Sequence, residues 1–129
     1  MPFEITIQDD YFVFRLYGVV TSVDLDRIAS EVEVLEDSIP TAIDRITDIT
    51  SVERFDVGFP AVNILAGRRS VRQFSKPVKS AIIVRESVQF GLARMYQMLN
   101  DNSQIEIRIL RSVTEAKDWF ADKTEKGTS

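Results

Sequence analysis

Asp48, Asp56, Arg85, Glu86 and Ser87 are the side chains of this sequence best placed to do chemistry together. Each stands at or beyond the carboxyl end of a segment patterned as a strand, and in a mostly parallel sheet those ends share one rim, where ligands collect. Two carboxylates on such a rim could serve as acid and base. An arginine beside two helix N-termini, whose amides lack intrahelical partners, suits an anion. The simpler reading of the same residues is capping. Asp56 and Ser87 precede helical patterns, and an N-cap of either type stabilises by about 1 kcal/mol.

Other chemistries are narrowed by what is missing. The chain has no histidine and no cysteine, so the side chain that titrates near neutrality and the thiolate nucleophile are both absent. Zinc, copper, haem and iron–sulfur sites lose their usual ligands, and neither a metal nor another cofactor is expected. Gly58 and Gly67 fit neither GxxxxGK[ST] nor GxGxxG, and no serine lies between the two glycines that a nucleophile elbow requires. The expectation is a protein without catalytic residues.

The 129 residues are 44% hydrophobic and 28% charged, which is the composition of one globular domain. No run of about 18 apolar residues occurs, and the N-terminus MPFEITIQDD lacks the pattern of a signal peptide. A cytoplasmic, non-transmembrane protein is the expectation. The net charge of −4 hides an asymmetry. Residues 1–60 carry 4 basic and 13 acidic side chains, a net −9, whereas residues 61–129 carry 12 and 7, a net +5. Arg68, Arg69, Arg72, Lys76 and Lys79 concentrate the positive charge, and Arg68 and Arg72 share a helical face. This basic patch suits a phosphate or an acidic partner, or else internal pairing with the acidic first helix. The overall negative charge disfavours nucleic acid.

The elements that must position these groups follow from periodicity. FEITIQ (3–8) and YFVFRLY (11–17) alternate as two strands of a hairpin, with Gly18 ending the second. Thr21 and Asp24 form a capping box for a helix over 22–37, apolar at Leu25, Ile28, Ala29, Val32 and Leu35. AIDRITDI (42–49) is a strand and TSVERFDVG a loop; Pro60 opens a helix to about Ser70. KSAIIV (79–84) has the apolar run of a central strand. A helix over 88–99 shows the stripe Val88, Leu92, Met95 and Leu99, and IEIRIL (105–110) alternates as a strand. Ser112 and Glu115 cap a last helix, with Ala116, Trp119 and Phe120 facing inward, before a polar tail over 123–129. The order ββαβαβαβα predicts an α/β domain over 1–122 with a mixed, mostly parallel sheet.

That order, with FRLYGVVTSVDL and the segment AIIVRESVQFGLARMYQMLNDNSQIEIRILRSVTEAKDWF, resembles the STAS domain of anti-sigma-factor antagonists. It comes closer still to small bacterial SpoIIAA-like (STAS/SEC14-like) proteins. The resemblance implies their fold over about 3–122 and a non-catalytic, regulatory binding role. In the antagonists a motif like Asp-Leu-Ser, some six residues, then Asp-Ser-Ser-Gly carries a phosphorylated serine. Here DITSVERFDVGFP matches at Asp48, Thr50 and Asp56, but Val57 and Gly58 occupy the serine positions. The phosphoswitch is therefore not expected, with Thr50 or Ser51 as weak substitutes.

Phe90 lies about 200° round its helix from Val88, on the side opposite the apolar stripe. An interface is the functional reading, and burial within the monomer is the bland one. The expected partner is a second copy of the chain or another protein. The alternative is a small anionic or amphiphilic ligand, held at the rim or in a pocket beneath the second helix.

Overall fold

The computed structural model describes residues 3–8 and 10–122. Five strands and four helices alternate as expected: β1 (Phe3–Ile7), β2 (Tyr11–Thr21), α1 (Ser22–Ser38), β3 (Asp44–Asp56), α2 (Phe59–Ser70), β4 (Val78–Ile83), α3 (Ser87–Leu99), β5 (Ile105–Leu110) and α4 (Val113–Ala121). The strands lie in sequence order across one sheet. β1 and β2 are antiparallel, and β2 to β5 are parallel. Parallel crossovers that step always in one direction place their helices on the same face. Thus α1, α2 and α3 cover one side, and α4 packs against the other.

The alternation of each strand divides its side chains between two cores. Phe12, Phe14, Leu16, Ile49, Val78, Ile82 and Ile105 point towards α1–α3, where Leu25, Ile28, Val32 and Ala93 meet them. Ile46, Ala81 and Ile83 point the other way, onto Ala116 and Trp119 of α4. β4 is buried at all six positions, as its apolar sequence predicts for a strand covered on both faces. Its one long polar side chain, Lys79, is 1% exposed. The ammonium donates to the carbonyls of Trp119 (2.6 Å) and Asp122 (3.2 Å), capping the C-terminal end of α4.

Caps explain the helix boundaries. The Thr21 hydroxyl accepts from the Asp24 amide at 3.3 Å, and the Asp24 carboxylate accepts from the Thr21 amide at 2.9 Å. Ser112 accepts from the Glu115 amide at 3.1 Å. The other two caps correct the sequence reading. Gly58, not Asp56, is the N-cap of α2 and makes no side-chain cap bond; Asp56 ends β3, exposed. Glu86, not Ser87, is the N-cap of α3, and the Glu86 amide donates to Gln89 Oε1 at 3.1 Å. Ser87 is the first helical residue and is exposed.

Two strands run further than periodicity suggested. β2 continues through Gly18, whose φ of +69° accommodates an irregularity rather than an end. β3 continues through the segment read as a loop. Its pairing with β2 skips between Arg15/Tyr17 and Gly18/Val19, each time with an extra residue on β3. Such bulges shift the alternation, so that Ile49 and then Val52 both face α1–α3. The expected stripe on α3 is also displaced: Gln89 and Ala93 are its buried residues, and Val88 is 71% exposed. The tail at 123–129 lies outside the described residues.

Candidate functional site

The rim residues are occupied in holding β3 together. Asp48 sits 7% exposed on the α4 side of the sheet. Its Oδ1 accepts from the Thr50 amide at 2.9 Å and the Thr50 hydroxyl at 2.7 Å, thereby satisfying backbone that the bulge leaves out of the ladder. Its Oδ2 lies 3.6 Å from Arg15 Nε. β4 pairs with β3 only as far as Asp48, which leaves the carbonyls of Thr50 and Val52 without a strand beside them. Arg85 donates to the Thr50 carbonyl at 2.9 Å, and Gln89 Nε2 donates to the Val52 carbonyl at 3.2 Å. Gln89 Oε1 accepts from the Arg85 amide at 2.8 Å. Asp48 and Arg85 thus both bind Thr50, Asp48 at its amide and hydroxyl and Arg85 at its carbonyl. Asp56, at the end of β3, and Ser87, at the start of α3, are exposed and take no part in this network. Gln89 was not singled out in the sequence, because a glutamine inside a helical pattern gives no signal of strand mimicry.

The basic patch is not a patch. Arg68 reaches Asp26 and Glu33 of α1 at 2.8 Å each. Arg72 pairs with Asp37 at 2.7 Å and with Glu36 at 3.2 Å. Arg69 is 6% exposed, forking onto both oxygens of Glu36 at 2.9 and 2.5 Å. The acidic first half and basic second half meet along the seam between α1 and α2, resolving the charge asymmetry internally. Lys76 stays exposed on the connection after α2.

Glu36 also receives a hydrogen bond from Arg45, a residue that the sequence reading passed over because it lies mid-strand. Arg45 is 5% exposed and faces α1–α3 beside Phe12 and Phe74, whose ring centroids lie 4.8 and 5.2 Å from its guanidinium carbon. Its NH2 group donates to the Ile43 carbonyl at 3.0 Å, but its buried Nε has no partner. Burial alone would raise the Glu36 carboxyl; the hydrogen bonds and charges of Arg69 and Arg45 outweigh it and hold the group below its ordinary value. Burial depresses Arg45. For Arg69 burial is the largest single influence and lowers it, but the bond and charge of Glu36, joined by Tyr96 and Glu33, together raise it above its ordinary value.

This polar cluster closes one end of a cavity of about 140 Å³ between the sheet and helices α1–α3. The floor is Phe12, Phe14, Thr47, Ser80 and Ile82; the roof is Ile28, Ala29, Val32, Val62, Leu65, Leu92 and Ala93. Tyr96 lines the cavity as well, its phenol pushed up by burial despite the nearby Arg69. Small side chains create the space: Ala29 and Ala93 face it from opposite helices, and Ser80 stands where β4 otherwise carries branched aliphatics. Arg45 borders a second, polar cavity of about 130 Å³ with Glu36, Arg72 and Phe74. Sequence periodicity identified the lining as core, but a void left by small residues among large ones is not legible in a one-dimensional pattern.

On the outer side of α3, Phe90 is 43% exposed. It borders a shallow depression with Arg94, Gln97, Arg108 and Leu110, so the monomer covers about half of this residue and leaves the rest open. Among the described residues no helix is long and apolar enough to cross a membrane, and no cluster of carboxylates could hold a metal ion.

The sequence matches no protein-family model and no curated protein. Among solved structures it is similar to the crystal structure of an uncharacterised protein of the DUF3478 family with a SpoIIAA-like fold from Shewanella loihica PV-4. The identity is 21%, 92% of each chain is covered, and the TM-score is 0.60. That likeness over nearly the whole length, the strand order and the four helices together give the chain the SpoIIAA-like fold.

Proposed function

We propose that the chain is a non-catalytic binding module whose ligand is a small, largely apolar molecule held in the cavity beneath α1–α3. The observation that carries this reading is the cavity itself. Protein interiors pack nearly as densely as organic crystals, and voids beyond the size of a water are few. Apolar side chains line nearly all of this space of about 140 Å³, and covering them with an apolar occupant is favourable at roughly 25 cal/mol per Å². An apolar void of about 150 Å³ in another protein stays dry and takes up benzene. The rim, by contrast, has its polar groups engaged in holding the sheet, and this supports a role without acid–base catalysis.

Absence of the antagonist phosphoswitch remains part of the proposal. Val57 and Gly58 occupy the acceptor positions, Gly58 caps α2 with backbone alone, and the Thr50 hydroxyl is engaged by Asp48. A thermal-shift panel of small apolar and amphiphilic compounds tests the reading, because a ligand that binds only the native state raises the melting temperature. A rise of several degrees with a compound of this size is expected. No rise for any member of the panel contradicts the proposal.

A second reading, association through α3 with another copy, is favoured by Val88, Phe90 and Met98, all exposed on that helix. Sedimentation tests it, and a monomer at high micromolar concentration ends it.

A further inference from the structure

The cavity is largely apolar, and Arg45 and Arg69 bring an excess of positive charge to its lining. Arg45 and Arg69, 5% and 6% exposed, share the single buried carboxylate of Glu36. Arg72 also touches Glu36, but it reaches the surface and has Asp37 to itself. Two buried cations share one buried anion, and Glu33 acts on Arg69 only from the partly exposed seam where it pairs with Arg68, so the positive charge at Arg45 is incompletely compensated in a low-dielectric interior, which is costly unless something pairs with it. The donor count gives the same answer independently. Arg45 presents its NH1 side to Glu36 and its NH2 side to the Ile43 carbonyl, and its buried Nε–H has no acceptor. Buried donors are rarely left in that state. Across the sheet Arg45 stands in register with Phe12 on one side and Ser80 on the other, and all three line the cavity.

Resting on the cavity reading above, we propose that the ligand is a small monocarboxylic acid bound as its anion. Its carboxylate accepts from Arg45 Nε, and its six- or seven-carbon ring or chain fills the space among Ile28, Leu65, Ile82 and Ala93. Size sets the upper limit: a void of this volume takes about a benzene ring, not a long acyl chain. Charge sets the head group, since a carboxylate supplies both the missing acceptor and the missing negative charge. A neutral alcohol or amide supplies only the first. The guanidinium prefers a planar oxyanion as a hydrogen-bond partner.

Isothermal titration of the full chain with benzoate, benzamide and benzene tests this on the wild-type protein. Benzoate is expected to bind at least tenfold more tightly than benzamide, its neutral isostere, or benzene. If benzamide or benzene binds as well as benzoate, the carboxylate assignment falls and the cavity reading stands. If none of the three binds, both fall. Location is fixed by Ala93→Phe, which fills the cavity away from every surface arginine: benzoate binding is expected to vanish, and its retention overturns the proposal. Arg45→Lys keeps the charge but removes the planar fork and Nε, and it is expected to cut the preference for benzoate over benzamide several-fold. An unchanged preference in folded Arg45→Lys also overturns it; should that variant fail to fold, the wild-type series and Ala93→Phe decide.

Discussion

Glu36, near the end of α1, and Arg69, near the end of α2, form a two-pronged pair at 2.9 and 2.5 Å across 33 positions of sequence. With Arg45 from β3 it ties both helices to the centre of the sheet at the polar end of the cavity. A bond of this kind is worth little beyond an apolar replacement of all partners, but removing one partner strands the others. Glu36→Gln leaves Arg45 and Arg69 buried with no counter-charge, and a loss of about 3–5 kcal/mol is expected. Urea unfolding of the purified variant measures it, and a loss below about 1 kcal/mol would show the cluster to be more hydrated than its burial implies.

The same pair sets a pH dependence. In the folded chain the Glu36 carboxyl is held below its ordinary value of 4.5. A carboxyl depressed by folding contributes stability that is fully present above the unfolded value and is lost as pH falls through the folded one. The stability difference between wild type and Glu36→Gln should therefore be level from pH 7 down to about 5.5 and shrink below roughly 4.5. A difference that grows as the solution is acidified would refute the sign.

Lys79 offers a contrasting test on the far side of the sheet. Lys79→Met keeps most of the buried stem but leaves the carbonyls of Trp119 and Asp122 without the ammonium. A cost of about 2 kcal/mol is expected, in the range of bonds to charged groups. Hydrogen exchange should quicken first in α4, while α1 and α2 keep their protection; uniform quickening would argue against a local clamp.

Phe90 is half-exposed, so Phe90→Asp should leave the monomer folded, with a stability change of about 0.5 kcal/mol or less. If wild type sediments as a dimer and this variant as a monomer, α3 is the contact. A dimer unaffected by the substitution places the contact elsewhere.

How much of this was legible beforehand depended on the kind of signal. Element order and type came through because each buried face imposes its own period, as in the alternating YFVFRL of β2 or the apolar run Ala81–Ile83 of β4. The Thr21–Asp24 and Ser112 caps came through because their bonds are local. β3 was cut short because TSVERFDVG breaks alternation: two bulges shift its parity, and its outer carbonyls pair with Arg85 and Gln89 instead of a strand. Val88 was assigned to the core because a stripe and its neighbour differ by only 100° on a helix. Arg45 was missed since a mid-strand arginine reads as solvent-facing, whereas its partners are 9 and 24 residues away in Glu36 and Arg69's shared cluster. Long-range pairing of charges is a tertiary fact.

Filling the cavity separates its role in packing from its role in binding. Ala93→Leu adds three carbons at a position 4% exposed and facing the void, at almost no cost in helix propensity. Its melting temperature is expected to equal or exceed that of wild type, by up to about 1 kcal/mol of added stability. Ligand-induced shifts should be reduced or absent. A loss of more than about 2 kcal/mol would mean that the site is already full.

The most direct test of the central claim is a methyl NMR titration of the wild-type chain with benzene. Saturable shifts are expected at Ile28, Val62, Leu65, Ile82 and Leu92, which line the cavity. The methyls of Ile46 and Ile83, on the α4 side, should stay in place. Shifts confined to exposed Val23, Ile64 and Met98, or no shifts at all in a folded protein, would contradict an interior binding site.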